Sequence, residues 1–158
     1  MICNWALASE AATRQLAARA AQALPAAPAP FVVELSGELG AGKTTFARGL
    51  LRSLGVEGPV RSPSYTLMEH YAAGGWQVLH LDLYRLLDAE ELENLGVRDF
   101  HGGRSLWLVE WPEKGAGHLP AADARLRFSS DAAGHAVDVT ALSAAGEQWL
   151  GRLMKDAR

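Results

Sequence analysis

The sequence predicts an α/β sandwich of three layers built on a mixed, largely parallel sheet. Three observations lead there. Apolar, β-branched runs occur at FVVELS (31–36), WQVLHLDLY (76–84) and SLWLVEW (105–111), each set off by glycine or proline on at least one side. Runs of that length, apolar on both faces, suit strands inside a parallel sheet. Segments of helical periodicity alternate with them, as happens where helices cover such a sheet. Finally, one strand leads through a glycine-rich loop directly into a helix within 31–54.

The elements follow in order. Ser9 before EAATRQLAARAAQAL reads as the cap of a helix, with Glu10 favourable at its positive end. PAAPAP stops that helix and forms a stiff spacer before FVVELS. A second helix runs from Lys43 to about Leu54. Phe46, Leu50, Leu51 and Leu54 line one face, Arg48 and Arg52 lie on a solvated one, and Gly55 serves as C-cap. VRSPSYTLMEHY is a loop entering a strand, which turns at Gly74 and Gly75 into a hairpin with 76–84. Asp88 and Glu91 have capping-box spacing for a short helix ending near Gly96. ARLRFSS and HAVDVTAL form a hairpin about DAAG, and a helix from Ser143 turns Trp149, Leu150 and Leu153 inward. No repeat or linker interrupts this order, so 1–158 reads as a single domain.

The 158 residues suffice for one full-sized core, and 49% hydrophobic with 21% charged is ordinary for a globular chain. A net charge of −3 argues against a surface built mainly to grip nucleic acid. The single cysteine, Cys3, allows no internal disulfide, has no basic neighbour to activate it, and is compatible with a reducing cytoplasm. The alanine-rich start does not read as a secretion signal, because Glu10, Arg14 and Arg19 break its apolar run and no basic residue precedes them. No segment is apolar for long enough to predict a membrane span.

GELGAGKT, residues 37–44, meets the spacing G-x-x-x-x-G-K-T in full. Such a loop must wrap a phosphate with its N–H groups inward, which glycine permits, and the following helix turns its positive end to the same anion. Lys43 neutralises the β and γ oxygens, the Thr44 hydroxyl is a magnesium ligand, and Thr45 reaches the α-phosphate. With a buried strand before it and an amphipathic helix after it, the motif predicts a P-loop NTPase-like fold.

Such a site also needs acids near the metal or the attacking water, usually at strand ends. Asp82 closes VLHLD and Glu110 closes LWLVE. Sequence alone leaves open which of them serves which role. In SPSY (62–65), Pro63 holds Ser62 extended, and Ser64 is the candidate sensor of the γ-phosphate or its metal. The five histidines lack metal-ligand spacing. His80 shares a strand face with Asp82 but reads as a core or surface residue. Arg125 and Arg127 read as solvent-facing, as do Glu90, Glu91 and Glu93.

SEAAT, GELGAGKTTFARGL, VRSPSYTL, HLDLYRL, EELENLGVRDF and LVEWPEK follow one another in the order found in the TsaE family, which the chain resembles from about Ser9 to Pro120. This is a family of bacterial ATPases of tRNA threonylcarbamoyladenosine biosynthesis. The resemblance implies ATP and Mg²⁺, with Leu39, Gly40, Ala41, Gly42, Lys43 and Thr44 on the phosphates. It implies a nucleotide contact from Thr13 and magnesium binding by Thr44 and Glu110. Asp82 would act in hydrolysis, Trp111 would be tied to activity, and Glu113 would lie near the nucleotide. Ser64 stands where the family usually has threonine, so the hydroxyl is kept. The last strands and helix match only loosely. The implied partners are TsaD and TsaB, which carry out the tRNA modification. The tRNA would be reached only through that complex, and hydrolysis by the lone chain would be weak.

Other readings of the same residues stay open at this stage. A small-molecule or nucleoside kinase fits the size and the loop, although no arginine-rich lid is visible. A GTP switch lacks its N-K-x-D signature here. A nucleotide-gated binding module with little hydrolysis would need neither strand-end acid.

Overall fold

Apolar strand sequence and glycine-marked turns produce seven strands in one mixed sheet, seen in a computed structural model that describes residues 1–155. The strands are β1 (Ile2–Leu7), β2 (Phe31–Ser36), β3 (Met68–Ala73), β4 (Trp76–Asp82), β5 (Ser105–Glu110), β6 (Ala124–Asp131) and β7 (Gly134–Ala141). Their spatial order is β1-β7-β6-β2-β5-β4-β3. The centre is parallel: β2 lies between β5 and β6, and β4 follows on the outer side of β5. Both margins are antiparallel, through β3 on β4, β7 on β6 and β1 on β7.

Sequence reading did not anticipate β1. ICNWAL is a half-exposed edge strand whose alternation is masked by polar and small residues. It is held in place by pairing with β7, from Ile2 opposite Thr140 to Leu7 opposite His135. Such a strand exists because a partner edge lies beside it, and local sequence carries little of that signal.

One face of the sheet carries helices α1 (Glu10–Gln22), α2 (Lys43–Leu54) and, after the short α3 (Glu91–Asn94), α4 (Ala144–Lys155). Ser9 caps α1 by accepting the Ala12 N–H at 3.1 Å. Gly55 ends α2 in the left-handed conformation. Gly49 lets α1 and α2 approach: a Cβ there would lie 2.9 Å from that of Ala17. Three bonds tie α1 and its end to α4, from Trp149 Nε1 to the Ala20 carbonyl (3.0 Å), from Arg152 to Ala23 (2.7 Å) and from Arg19 to Leu153 (2.6 Å).

The opposite face is covered more thinly. Val32, Leu79, Leu81, Trp107 and Val109 meet Leu83, Leu86, Leu92 and Val97, which come from a turn, α3 and a 3₁₀ turn at Val97–Phe100. The Asp88–Glu91 capping box is not formed as expected. The Asp88 carboxylate accepts the Glu90 N–H at 3.0 Å, the helix begins only at Glu91, and Gly96 at φ 68° breaks it after Leu95. Too few residues remain between those signals to extend a helix.

Trp149 fills the space between Phe31, at a ring separation of 5.8 Å, and α1. Trp149→Ala should therefore cost about 3–5 kcal/mol of unfolding free energy, measured by denaturant titration.

Candidate functional site

The chain leaves β2 at Gly37, whose φ is 128°. A Cβ at Gly37 would collide with the carbonyl oxygen of Phe128 on β6, so the loop can start beneath that strand only with glycine. The loop closes at Gly42, again left-handed, and no side chain caps the N-terminus of α2. The first-turn N–H groups of a twelve-residue helix are thus left for an anion.

Lys43 is only 5% exposed. Its ammonium donates to the carbonyl of Gly37 and, at 2.8 Å, to that of Glu38. It lies 4.3 Å from the ring centroid of Trp111. Burial lowers its pKa below the ordinary 10.5, while the carboxylates of Glu110, Asp82, Glu113 and Glu38 pull it back up. The lysine is thus a desolvated cation facing acids.

Strand register delivers those acids. Leu35 of β2 is paired with Glu110 of β5, and Glu110 with Asp82 of β4. Glu110 is 1% exposed. Its Oε1 accepts the Thr44 hydroxyl at 2.9 Å and its Oε2 contacts His80 Nε2 at 2.7 Å. Asp82 has separate partners. Its Oδ2 accepts the Ser62 hydroxyl, and its Oδ1 accepts the Tyr84 N–H at 3.1 Å.

These groups surround a cleft of about 380 Å³. Leu39, Gly40, Gly42, Lys43, Thr44 and Thr45 line it from the loop and helix. Asp82, Glu110, Trp111 and Ser64 line it from the strand ends and the loop after α2. Thr13 and Ala41 do not reach this cleft. They line a neighbouring one of about 400 Å³, which shares Gly40, Gly42 and Thr45 with the first and adds Ser9, Glu10 and His135. Glu113 lines neither. It is exposed beside Glu34, Ser36 and Arg125, close enough to Lys43 to act on its charge.

Several residues of the site carry little local sequence signal. Ser62 bonds to Asp82, while Ser64 lines the cleft. His80 is fully buried against Glu110. Tyr84 and Arg85 line the cleft, with Tyr84 5.0 Å from Trp111 and Arg85 4.3 Å from the ring of Tyr65. The i, i+2 spacing of His80 and Asp82 was the available signal; the register with Glu110 was not visible. Trp111 adopts φ 57°, a left-handed conformation rare outside glycine, between Glu110 and Pro112. It is the kind of local strain found where geometry serves a site.

The donor chemistry fits a magnesium polyphosphate. Thr44 and Glu110 offer hard oxygen donors. Among the described residues no three acidic, histidine or cysteine side chains form a ligand cage. Mg²⁺ needs none, since it takes one or two protein oxygens together with phosphates and water.

A parallel strand that runs through such a loop into a helix, beside strands ending in buried acids, defines the P-loop class of nucleotide-binding proteins. Comparison with known proteins narrows the class. Residues 7–137 match the family model described as threonylcarbamoyl adenosine biosynthesis protein TsaE. A Streptomyces coelicolor relative, named tRNA threonylcarbamoyladenosine biosynthesis protein TsaE, is 39% identical over 86% of this chain and 93% of its own. A Haemophilus influenzae protein of the same name is 54% identical, over 59% of each chain. For a Bacillus subtilis namesake the match spans 49% of its length. The solved structure of Bacillus subtilis YdiB superposes with a TM-score of 0.75 at 28% identity, covering 100% of this chain and 97% of that one. The chain belongs to the TsaE family.

Lys43→Ala removes the one ammonium inside the loop. Affinity for ATP should fall roughly tenfold or more, the loss of a charge-assisted contact, as read by calorimetric titration.

Proposed function

We propose that the chain binds ATP with Mg²⁺, hydrolyses it, and thereby serves formation of N6-threonylcarbamoyladenosine in tRNA through a TsaD–TsaB complex in the cytoplasm. The names of its relatives supply the pathway. One observation carries the chemistry: the Thr44 hydroxyl meets Glu110 at 2.9 Å, joining the phosphate loop to a strand-end acid. A threonine and a carboxylate so placed are the two protein oxygens that would hold magnesium, whose charge offsets that of the phosphates.

The separate partners of the acids support a division of labour. Glu110 belongs to the metal side, with Thr44. Asp82 belongs to the loop after α2 and would orient the attacking water. Water adds to the γ-phosphorus, the bond to the ADP oxygen breaks, and one proton is released with the phosphate. The cleft containing Thr13 is the place for the nucleoside, since it continues from the loop at Gly40, Gly42 and Thr45.

Each Asp82 oxygen accepts one hydrogen bond, Oδ2 from Ser62 and Oδ1 from the Tyr84 N–H, and each keeps a second lone pair for water. The loop that carries Ser62 presents Tyr65, 82% exposed, to solvent. A partner seated there would reach Asp82 through the loop and Ser62, in keeping with hydrolysis that is weak in the lone chain and raised in the complex. No helix among the described residues is long and apolar enough to cross a membrane.

Phosphate release from Mg-ATP, with and without TsaB and TsaD, tests the reading. Slow turnover should rise with the partners and vanish in Lys43→Ala. Phosphoryl transfer to a nucleoside instead of water would move the chain to the kinases.

Asp82→Asn should lower the partner-stimulated rate by about a hundredfold or more while ATP affinity stays within a factor of about two. Glu110→Gln should also raise the Mg²⁺ requirement. Single-turnover kinetics over a Mg²⁺ series separate the two acids, and identical profiles would refute the division.

A further inference from the structure

We propose that His80 is a positioning residue that fixes the Glu110 carboxylate in its metal-binding orientation, an inference that rests on the Mg-ATP reading above. His80 is completely buried. Its side chain shares the α2-side face of β4 with Val78 and Asp82, and its register partners are Leu108 on β5 and Glu69 on β3. In such a row an aliphatic side chain packs as well and needs no polar partner. An imidazole there needs hydrogen bonds, and it makes one, from Nε2 to Glu110 Oε2 at 2.7 Å.

Nδ1 is buried without a hydrogen-bond partner. That assigns the shared hydrogen to Nε2. With the hydrogen on Nδ1 instead, a buried donor would go unpaired and two acceptors would face each other across 2.7 Å. The Nε2–H therefore donates to Oε2.

The two oxygens of Glu110 are thereby distinguished. Oε2 is committed to His80, and Oε1 faces the Thr44 hydroxyl at 2.9 Å. The terminal torsion of a glutamate is broad and nearly two-fold, so a carboxylate without such an anchor exchanges its oxygens and tilts freely. Anchoring Oε2 on buried His80 presents Oε1 to a metal beside Thr44. Groups that orient a ligand in this way commonly change metal affinity by 10–100-fold when removed.

The test is Mg²⁺ dependence of binding, apart from turnover. A fluorescent ATP analogue is titrated with the full chain in EDTA and over a Mg²⁺ series. His80→Leu should leave affinity in EDTA unchanged and raise the half-saturating Mg²⁺ concentration about tenfold or more. His80→Gln, whose amide nitrogen can reach the place of Nε2, should recover most of the loss. A Mg²⁺ response in His80→Leu equal to wild type overturns the role of His80 alone. Wild-type binding indifferent to Mg²⁺ overturns the metal reading of Glu110, and the role of His80 with it. Long-range ¹H–¹⁵N NMR of the unmutated chain gives an independent check. An Nε2–H tautomer is expected for His80, and an Nδ1–H tautomer overturns the proposal whatever the variants do.

Discussion

The register of three parallel strands, which sets Leu35, Glu110 and Asp82 side by side, is the constraint on which the rest of the site depends. Apolar residues below them fix that register, because sliding a strand by one position would turn Val33, Leu108 and Val78 out of the core. The consequence is two carboxylates in neighbouring positions with almost no solvent. A buried charge left without partners is worth about 3–5 kcal/mol of instability, so each acid must be supplied with donors. Thr44 and His80 serve one; Ser62 and the Tyr84 amide serve the other. Lys43 faces both. The donors come from α2, from β4 and its continuation, and from the loop after α2, and the acids thereby hold these segments in one arrangement.

The two supports of the site are not equivalent: the phosphate loop and Asp82 are held by different kinds of structure. The phosphate loop continues into α2, whose Phe46, Leu50 and Leu51 sit in the larger core with α1 and α4. A grip on phosphate built there has little freedom. Asp82 is held instead by a loop lying outside any helix or strand. Leu67, at the end of that loop, takes φ 67°, and its carbonyl accepts the Asp82 N–H at 3.0 Å. Strained backbone at such a junction makes an alternative arrangement less costly to reach. On the proposed reading, phosphate binding would rest on the well-packed loop and α2, and hydrolysis on an acid held by irregular backbone.

What the sequence disclosed follows from the range of each interaction. The loop from Gly37 to Thr44 and the helix after it were legible because glycine geometry, lysine charge and helix periodicity are local. Asp82 and Glu110 were legible as acids at the ends of apolar runs. The bond from Ser62 to Asp82 was not, because it depends on which hydroxyl points toward β4 once Pro63 has set the chain direction. His80 was read as an ordinary core or surface residue, since its partner is thirty positions away and becomes a neighbour only through the pairing of β4 with β5. β1 was missed for a similar reason: an edge strand is defined by the strand it joins. Glu113 was expected near the nucleotide from resemblance. It is exposed, lines neither cleft and lies close enough to Lys43 to raise that lysine's pKa.

Charge explains why such a site would depend on others. ATP carries about four negative charges, and the cleft already holds two carboxylates against one ammonium and a helix end equivalent to about half a positive charge. Coulomb repulsion between such groups a few ångströms apart amounts to about 4 kcal/mol per pair at the effective dielectric of a protein surface. Two charges from magnesium reduce the excess without removing it. Arg85 is at the rim, but its guanidinium is stacked on Tyr65 and turned toward the exposed loop. The same loop holds Asp82 through Ser62. On the proposed reading, a partner that engaged Tyr65 would meet both the Arg85 stack and the loop that carries Ser62. The proposed dependence on a partner would then rest on Ser62 and Tyr65, which lie on one loop, and on Arg85 stacked against it.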